Sequence, residues 1–171
     1  SFRSLDADEQ ARSTDARRAM LEEFMGLRSI ETPDKAFDRY VNEWLPLQLG
    51  WVRILDRGWP SGMRGTRDCA QDTTAFVPLD SDYCRKTILF IMQMQRSDGW
   101  FPRQFSVHGR QGRHDHRGYV DGGAWVWQLL YDYLCWTRDF GILSEPAQWL
   151  DDDLAGSVLD HAWRLIDYYT R

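Results

Sequence analysis

The segment Met63–Asp72, M-R-G-T-R-D-C-A-Q-D, places an Arg-Asp pair behind a glycine and follows it with Gln71 and Asp72. Residues four apart share a helix face, so Arg67 lies over Gln71 and Asp68 over Asp72 on adjacent stripes. An ionised carboxylate accepts hydrogen bonds from hydroxyls, and a guanidinium fork donates to hydroxyl oxygens. Four such side chains on one short helix start suit a polyhydroxylated ligand such as a sugar. Arg64 reads either as a further ligand contact or as a surface charge. The structural alternative is an Arg67–Asp68 ion pair at the helix start, with Gln71 and Asp72 solvated or bracing loop amides.

Two other groups bear on chemistry. His108, His114, Asp115 and His116 invite a metal, but H-x-H with an intervening Asp lacks the helical i,i+4 spacing of a zinc enzyme and no cysteine lies close. The expectation is therefore no metal, and a mobile loop in which these histidines, Arg113 and Arg117 cover a site. Asp121 opens a later helix, where an acidic side chain is a favourable partner of the helix dipole.

The net charge of −5 argues against a polyanionic partner, so nucleic acid is not expected. Aromatic residues make up 14 %, with 9 Trp, more than core filling usually needs. Each Trp reads first as helix packing and second as a stacking platform for a sugar ring. Cys69, Cys84 and Cys135 are odd in number and show no C-x-x-C spacing, which indicates reduced thiols of an intracellular protein. No apolar run approaches the roughly 18 residues of a membrane span, and no signal segment opens the chain. The expected compartment is the cytoplasm. The chain begins Ser1-Phe2-Arg3 without Met, which suggests a piece of something longer.

Helical periodicity dominates, and the fold class is all-α. Ala16, Ala19, Met20, Phe24 and Leu27 predict a helix over 14–27, capped by Ser13 or Thr14. Thr32-Pro33-Asp34 predicts a second start, with Thr32 as cap and Phe37, Tyr40, Val41, Trp44 and Leu45 buried. Pro46 predicts a kink before Leu47–Leu55. Arg57 to Thr66 reads as a glycine-rich loop, followed by a short helix from Asp68 to about Val77. Asp80 or Ser81 caps an interior helix whose run Ile88 to Met92 is apolar nearly all round. Residues 97–118 read as one long irregular stretch. Asp121–Trp136, with Trp125, Leu129, Tyr133 and Trp136 on one side, and Val158–Tyr169 read as helices, and no strand alternation appears.

These residues resemble the inverting glycoside phosphorylases of glycoside hydrolase family 94, which include cellobiose and chitobiose phosphorylases and cyclic-glucan-synthase relatives. Ile30–Gln48, I-E-T-P-D-K-A-F-D-R-Y-V-N-E-W-L-P-L-Q, resembles the family's T-P-D…N-x-W-L-x-Y-Q helix. Gly65–Asp72, G-T-R-D-C-A-Q-D, resembles its G-[FY]-R-D-x-x-Q-D motif. Val120–Asp139 is similar without gaps to S-D-D-x-L-W-L…E-Y…T-G-D, and Gln95–Phe105 sits where the family has a Q…D-G…H-x-F loop. The chain departs from the pattern in two places. The paired carboxylates become Val120-Asp121-Gly122, and the aromatic before R-D is Thr66.

The resemblance implies that the chain supplies the first half of an (α/α)6 toroid over 30–171, preceded by a linker-helix region over 1–29. It implies phosphorolysis or transglycosylation of β-linked gluco-oligosaccharides with inversion, inorganic phosphate as co-substrate and no other cofactor. Arg67, Asp68 and Asp121 would bind the reacting sugar, with Arg64, Gln71 and Asp72 beside them. The general acid of the family lies in a W-N-D-type motif well downstream, which nothing here matches, so no catalytic residue is assigned. The expected partners are an oligosaccharide, phosphate and either the rest of the catalytic domain or a second copy. A noncatalytic carbohydrate-binding or scaffolding helical domain, or an (α/α)6 hydrolase, are the alternatives.

Overall fold

The computed structural model describes residues 6–26, 29–55 and 62–171, and is mostly helical. It forms two compact units, residues 1–58 and 59–171.

In the first unit, helix α1 runs Ala7–Gly26. It starts well before the expected cap at Ser13 or Thr14, because Asp6 and Glu9 cap each other: the Glu9 amide donates to Asp6 Oδ1 (2.8 Å) and the Asp6 amide to Glu9 Oε2 (3.1 Å). Thr14 instead donates to the Gln10 carbonyl inside the helix. Leu27, expected on the apolar face, lies outside the described residues. Helix α2, Lys35–Arg39, is capped by Asp34, which accepts from Ala36 N and Phe37 N, and not by Thr32. Thr32 donates from both its amide and its hydroxyl to Asp38 Oδ1, each at 2.8 Å, and this holds the buried Asp38 carboxyl below its ordinary range. A π turn, Tyr40–Trp44, leads into α3, Leu45–Leu55. Pro46 therefore does not break the helix, because the widened turn before it absorbs the missing N–H. Phe37, Tyr40, Trp44 and Leu45, expected to be buried, are all exposed.

The second unit carries the remaining elements. Strand β1, Met63–Gly65, leads into α4, Thr66–Thr74, and Asp80 caps α5, Ser81–Met92, by accepting from the Tyr83 amide. The expected loop over 57–66 is thus a strand and a helix start from residue 63 on, and residues 57–61 lie outside the described residues. Strand β2, Gln104–Ser106, pairs antiparallel with β1, Arg64 opposite Phe105. The stretch 97–118 is accordingly not one irregular loop: it holds β2, a 3-10 turn at Gly109–Gln111 and a bridge between Gln104 and Asp115. Helix α6, Gly122–Thr137, packs on α4 and α5. Strands β3, Pro146–Gln148, and β4, Ala155–Ser157, form a second antiparallel pair before α7, Val158–Thr170. Strands of three residues are too short to show a period of two, which is why alternation did not reveal them.

The core joins Ala70 and Phe76 of the α4 region, Ile88 and Ile91 of α5, Phe105 of β2, Val126 and Leu129 of α6, and Val158 of α7, all at or near zero exposure. The expected interior position of α5 holds. Trp136, expected on one side of α6 with Trp125, Leu129 and Tyr133, is 56 % exposed, and among the described tryptophans only Trp149 is buried. Trp149 stacks on His161 with ring centroids 3.7 Å apart, and the His161 ring lies between Gln95 Oε1 and the Ala147 carbonyl. The Cys84 thiol donates to the Thr73 carbonyl, and none of the three cysteines is in a disulfide. Among the described residues no helix is long and apolar enough to cross a membrane.

Asp139 ties α5 and α6 together: it accepts from the Tyr133 hydroxyl (2.7 Å) and from Arg85 Nε (3.1 Å), while Arg85 also donates to Glu145. These donors hold the Asp139 carboxyl below its ordinary range, and burial with the adjacent carboxylate pushes the Tyr133 phenol up to about 12. A carboxyl whose folded pKa is depressed stabilises the fold above its unfolded pKa, about 4, and loses that contribution as pH falls through the folded value. The thermal midpoint should therefore decline below pH ~4, and Asp139→Asn should flatten that acid limb in a pH-resolved melting series. An unchanged slope would assign the acid sensitivity to other carboxyls.

Candidate functional site

Two helix starts and one loop meet at a cleft lined by Gly65, Arg67, Asp68, Phe101, Pro102, Arg103, Gln104, Tyr119, Asp121 and Gly122. The chain turns from β1 directly into α4, which delivers Arg67 and Asp68 in the first helical turn. The approach at Gly65 is close: a β-carbon there would lie 2.2 Å from Asp68 Oδ2. The Asp68 carboxylate thus folds back over the Gly65 backbone, and any side chain at 65 displaces it.

Arg67 Nη1 donates to Asp121 Oδ2 at 3.0 Å, across 54 residues of sequence. Its distance to Asp68 is longer, 4.0 Å from Nε to Oδ1, so the simple Arg67–Asp68 pair is the lesser contact. Asp121 precedes α6 but makes no side-chain cap there; its carboxylate is turned toward Arg67 instead. The three side chains remain between 28 % and 46 % exposed, open enough to exchange partners with a ligand. Arg64, on β1, and Gln71 and Asp72, one turn further along α4, are not among the residues lining the cleft.

The loop side is built by hydrogen bonds reaching the same helix start. The Thr66 amide donates to the Arg103 carbonyl (3.0 Å), and the Thr66 hydroxyl donates to the Pro102 carbonyl. Arg103 donates from Nη1 to Asp115 Oδ2 (3.0 Å), and its guanidinium carbon lies 4.9 Å from the Tyr119 ring centroid. Asp115 also takes a fork from Arg117, and together the two arginines hold its carboxyl far below the usual carboxylate range. Arg103 and Tyr119 are site residues that motif reading missed. For Arg103 the local signal is the sequence F-P-R-Q-F, where it alternates with the buried Phe101 and Phe105.

The His114 and His116 rings meet edge-to-face, with centroids 6.0 Å apart. His116 stacks on Trp100, His114 accepts from the Ser106 amide, and Asp115 between them faces arginines. Among the described residues no cluster of three His, Cys, Asp or Glu has the geometry of a metal site. What the cleft offers is an apolar floor, Phe101 and Pro102, an aromatic ring, Tyr119, and carboxylates alternating with guanidiniums, a set that matches the CH faces and hydroxyl edges of a sugar.

With helices α4 to α7 and this cleft in place, the chain belongs to the glycosyl hydrolase 94 superfamily, catalytic domain, whose family model matches residues 21–171. It is 36 % identical over 106 residues to the cyclic beta-(1,2)-glucan synthase NdvB of Rhizobium meliloti (strain 1021), covering 57 % of this chain and 4 % of that protein. It is 26 % identical over 145 residues to the cellobionic acid phosphorylase of Neurospora crassa, covering 84 % and 18 %. To the solabiose phosphorylase of Paenibacillus borealis it is 27 % identical over 166 residues, covering 94 % and 19 %. The chain therefore spans less than a fifth of the length of each of these relatives.

Proposed function

We propose that this chain forms the sugar-gripping part of an inverting glycoside phosphorylase or transglycosylase that acts on β-linked gluco-oligosaccharides. The supporting observation is the convergence of Arg67, Asp68 and Asp121, from two helix starts, on one cleft in a chain of this family. In this reading residues 1–29 are a linker-helix region and 30–171 the first half of an (α/α)6 toroid. The exposed aromatics Trp127, Tyr131 and Trp163 mark faces that the rest of the domain or a second copy would cover. The compartment in this reading is the cytoplasm.

The chemistry assigned to the site is limited. Phosphate attacks the anomeric carbon on the face opposite the β-linked oxygen; the new bond to phosphate oxygen forms as the glycosidic bond breaks. The leaving oxygen takes a proton from a carboxylic acid, and an α-configured sugar 1-phosphate results. Phosphate is already a nucleophile at neutral pH, so a second carboxylate to activate water is unnecessary. Asp68 and Asp121 accept from sugar hydroxyls, and Arg67, fixed by Asp121, donates to them. None of these is the proton donor, which the reading places outside these 171 residues.

The test is a release assay with phosphate and a panel of β-linked glucose disaccharides and oligosaccharides. The full-length protein should form sugar 1-phosphate, and the 171-residue chain alone should form none. Turnover by the isolated chain that disappears in Asp121→Asn would show that the acid is here and that Asp121 is not merely a sugar contact. Reducing-sugar release without phosphate consumption would make the protein a hydrolase, and binding without turnover a noncatalytic carbohydrate-binding domain.

A further inference from the structure

We propose that Arg103, held by Asp115 and set over the Tyr119 ring, is a substrate-contacting, specificity-determining residue that donates to hydroxyls of the sugar in the cleft. The proposal rests on the sugar-binding reading above and deepens it. Its starting point is an excess of cation. Asp115, only 12 % exposed, is already served by Arg117, which donates from Nε to both carboxylate oxygens and from Nη2 to Oδ2 at 2.7 Å. Neutralising that carboxylate does not require Arg103 as well. Two guanidiniums on one carboxylate leave a net positive charge on the loop side.

The second argument is how firmly Arg103 is placed. Its amide donates to the Asp115 carbonyl and the Asp115 amide to the Gln104 carbonyl, both at 2.9 Å, so the residue that holds the guanidinium also fixes its backbone. The Arg103 carbonyl in turn accepts from Thr66, the residue before Arg67. Arg103 and Arg67 thus sit on one hydrogen-bonded frame. The Tyr119 ring, itself lining the cleft, has the guanidinium carbon over it at 4.9 Å from the centroid, within cation–π range. A planar donor fork set this way is pre-organised for the oxygens of neighbouring hydroxyls, and little side-chain entropy remains to be lost on binding. Asp115 acts through Arg103 and is a positioning residue.

The experiment compares the full-length protein with Arg103→Met, Arg103→Lys and Asp115→Asn, measuring kcat and KM for phosphorolysis of the preferred β-linked glucose disaccharide and its monodeoxy analogues. Wild type should reject the analogue lacking the contacted hydroxyl. Arg103→Met should lower kcat/KM for the parent roughly 10- to 100-fold, as expected for a lost charged hydrogen bond, and should abolish discrimination against that one analogue. Arg103→Lys keeps the charge without the fork and should recover only part. Asp115→Asn should raise KM more than it lowers kcat and weaken the same discrimination. Variants that keep wild-type kcat/KM and discrimination overturn this proposal alone, and so does an equal loss on every analogue with a matching fall in melting temperature. A wild-type protein that neither binds nor turns over any of these sugars overturns the sugar-binding reading and this proposal together.

Discussion

In the full-length protein, Asp68→Asn should lower kcat/KM for phosphorolysis of β-linked glucose disaccharides roughly 5- to 150-fold while shifting the melting temperature by no more than about 2 °C. The size follows from the contact: a carboxylate accepting from sugar hydroxyls makes charge-assisted hydrogen bonds, and removing the charge costs about 1 to 3 kcal/mol. The small effect on stability follows from the geometry of the site. Arg67 is 4.0 Å away at Nε and has its shorter bond, 3.0 Å, with Asp121, and a partly exposed pair of that kind contributes little. Asn is nearly isosteric, so the fold of Asp68 over Gly65 is kept. Equal losses of activity and stability would mean that Asp68 is a structural element of the α4 start and not a ligand of the sugar.

Gly99→Ala is expected to have the largest effect on stability. Gly99 has φ +99°, a conformation that L side chains rarely adopt, and a β-carbon there would lie 2.3 Å from the Arg164 carbonyl oxygen and 2.9 Å from Tyr168 Cβ. The obstacle is the α7 backbone, which cannot swing aside as a side-chain tip can. Gly99 also accepts from Gln95 Nε2 at 3.0 Å, the amide that faces His161, so displacing it disturbs a buried polar chain. Backbone strain of about 1 to 3 kcal/mol and overpacking of about 1 to 3 kcal/mol add here, which lowers the melting temperature by roughly 10 °C or more. A Gly99→Ala protein melting within 2 °C of wild type would contradict the close packing of this turn on α7.

The parts of this structure that sequence reveals are those with local causes. Helices α5, α6 and α7 carry enough turns for a 3.6-residue period to show, and Asp80 announces its own helix. The Arg67–Asp68 pair was legible because both residues stand on one turn. What was not legible depends on partners far along the chain. The bond from Arg67 to Asp121 spans 54 residues, and Arg103 enters the cleft only because β2 pairs with β1 and Asp115 returns beside it. The cap of α1 was misplaced because Asp6 and Glu9, one turn ahead of the apolar pattern, satisfy the helix start. The exposure of Phe37, Tyr40, Trp44 and Trp136 escaped a reading that equates apolar periodicity with burial within the same chain.

The central claim, that the cleft between the α4 and α6 starts holds the transferred sugar, is tested most directly by amide NMR of the protein titrated with α-D-glucose 1-phosphate, the product that inversion of a β-glucoside by phosphate would give. Saturable shifts should concentrate at Gly65–Asp68, Arg103 and Asp121–Gly122, and weaken together in Asp68→Asn. Saturable shifts confined to another surface, such as the groove formed by Trp149, Trp163 and Asp167, with Gly65–Asp68 unmoved, would contradict the account.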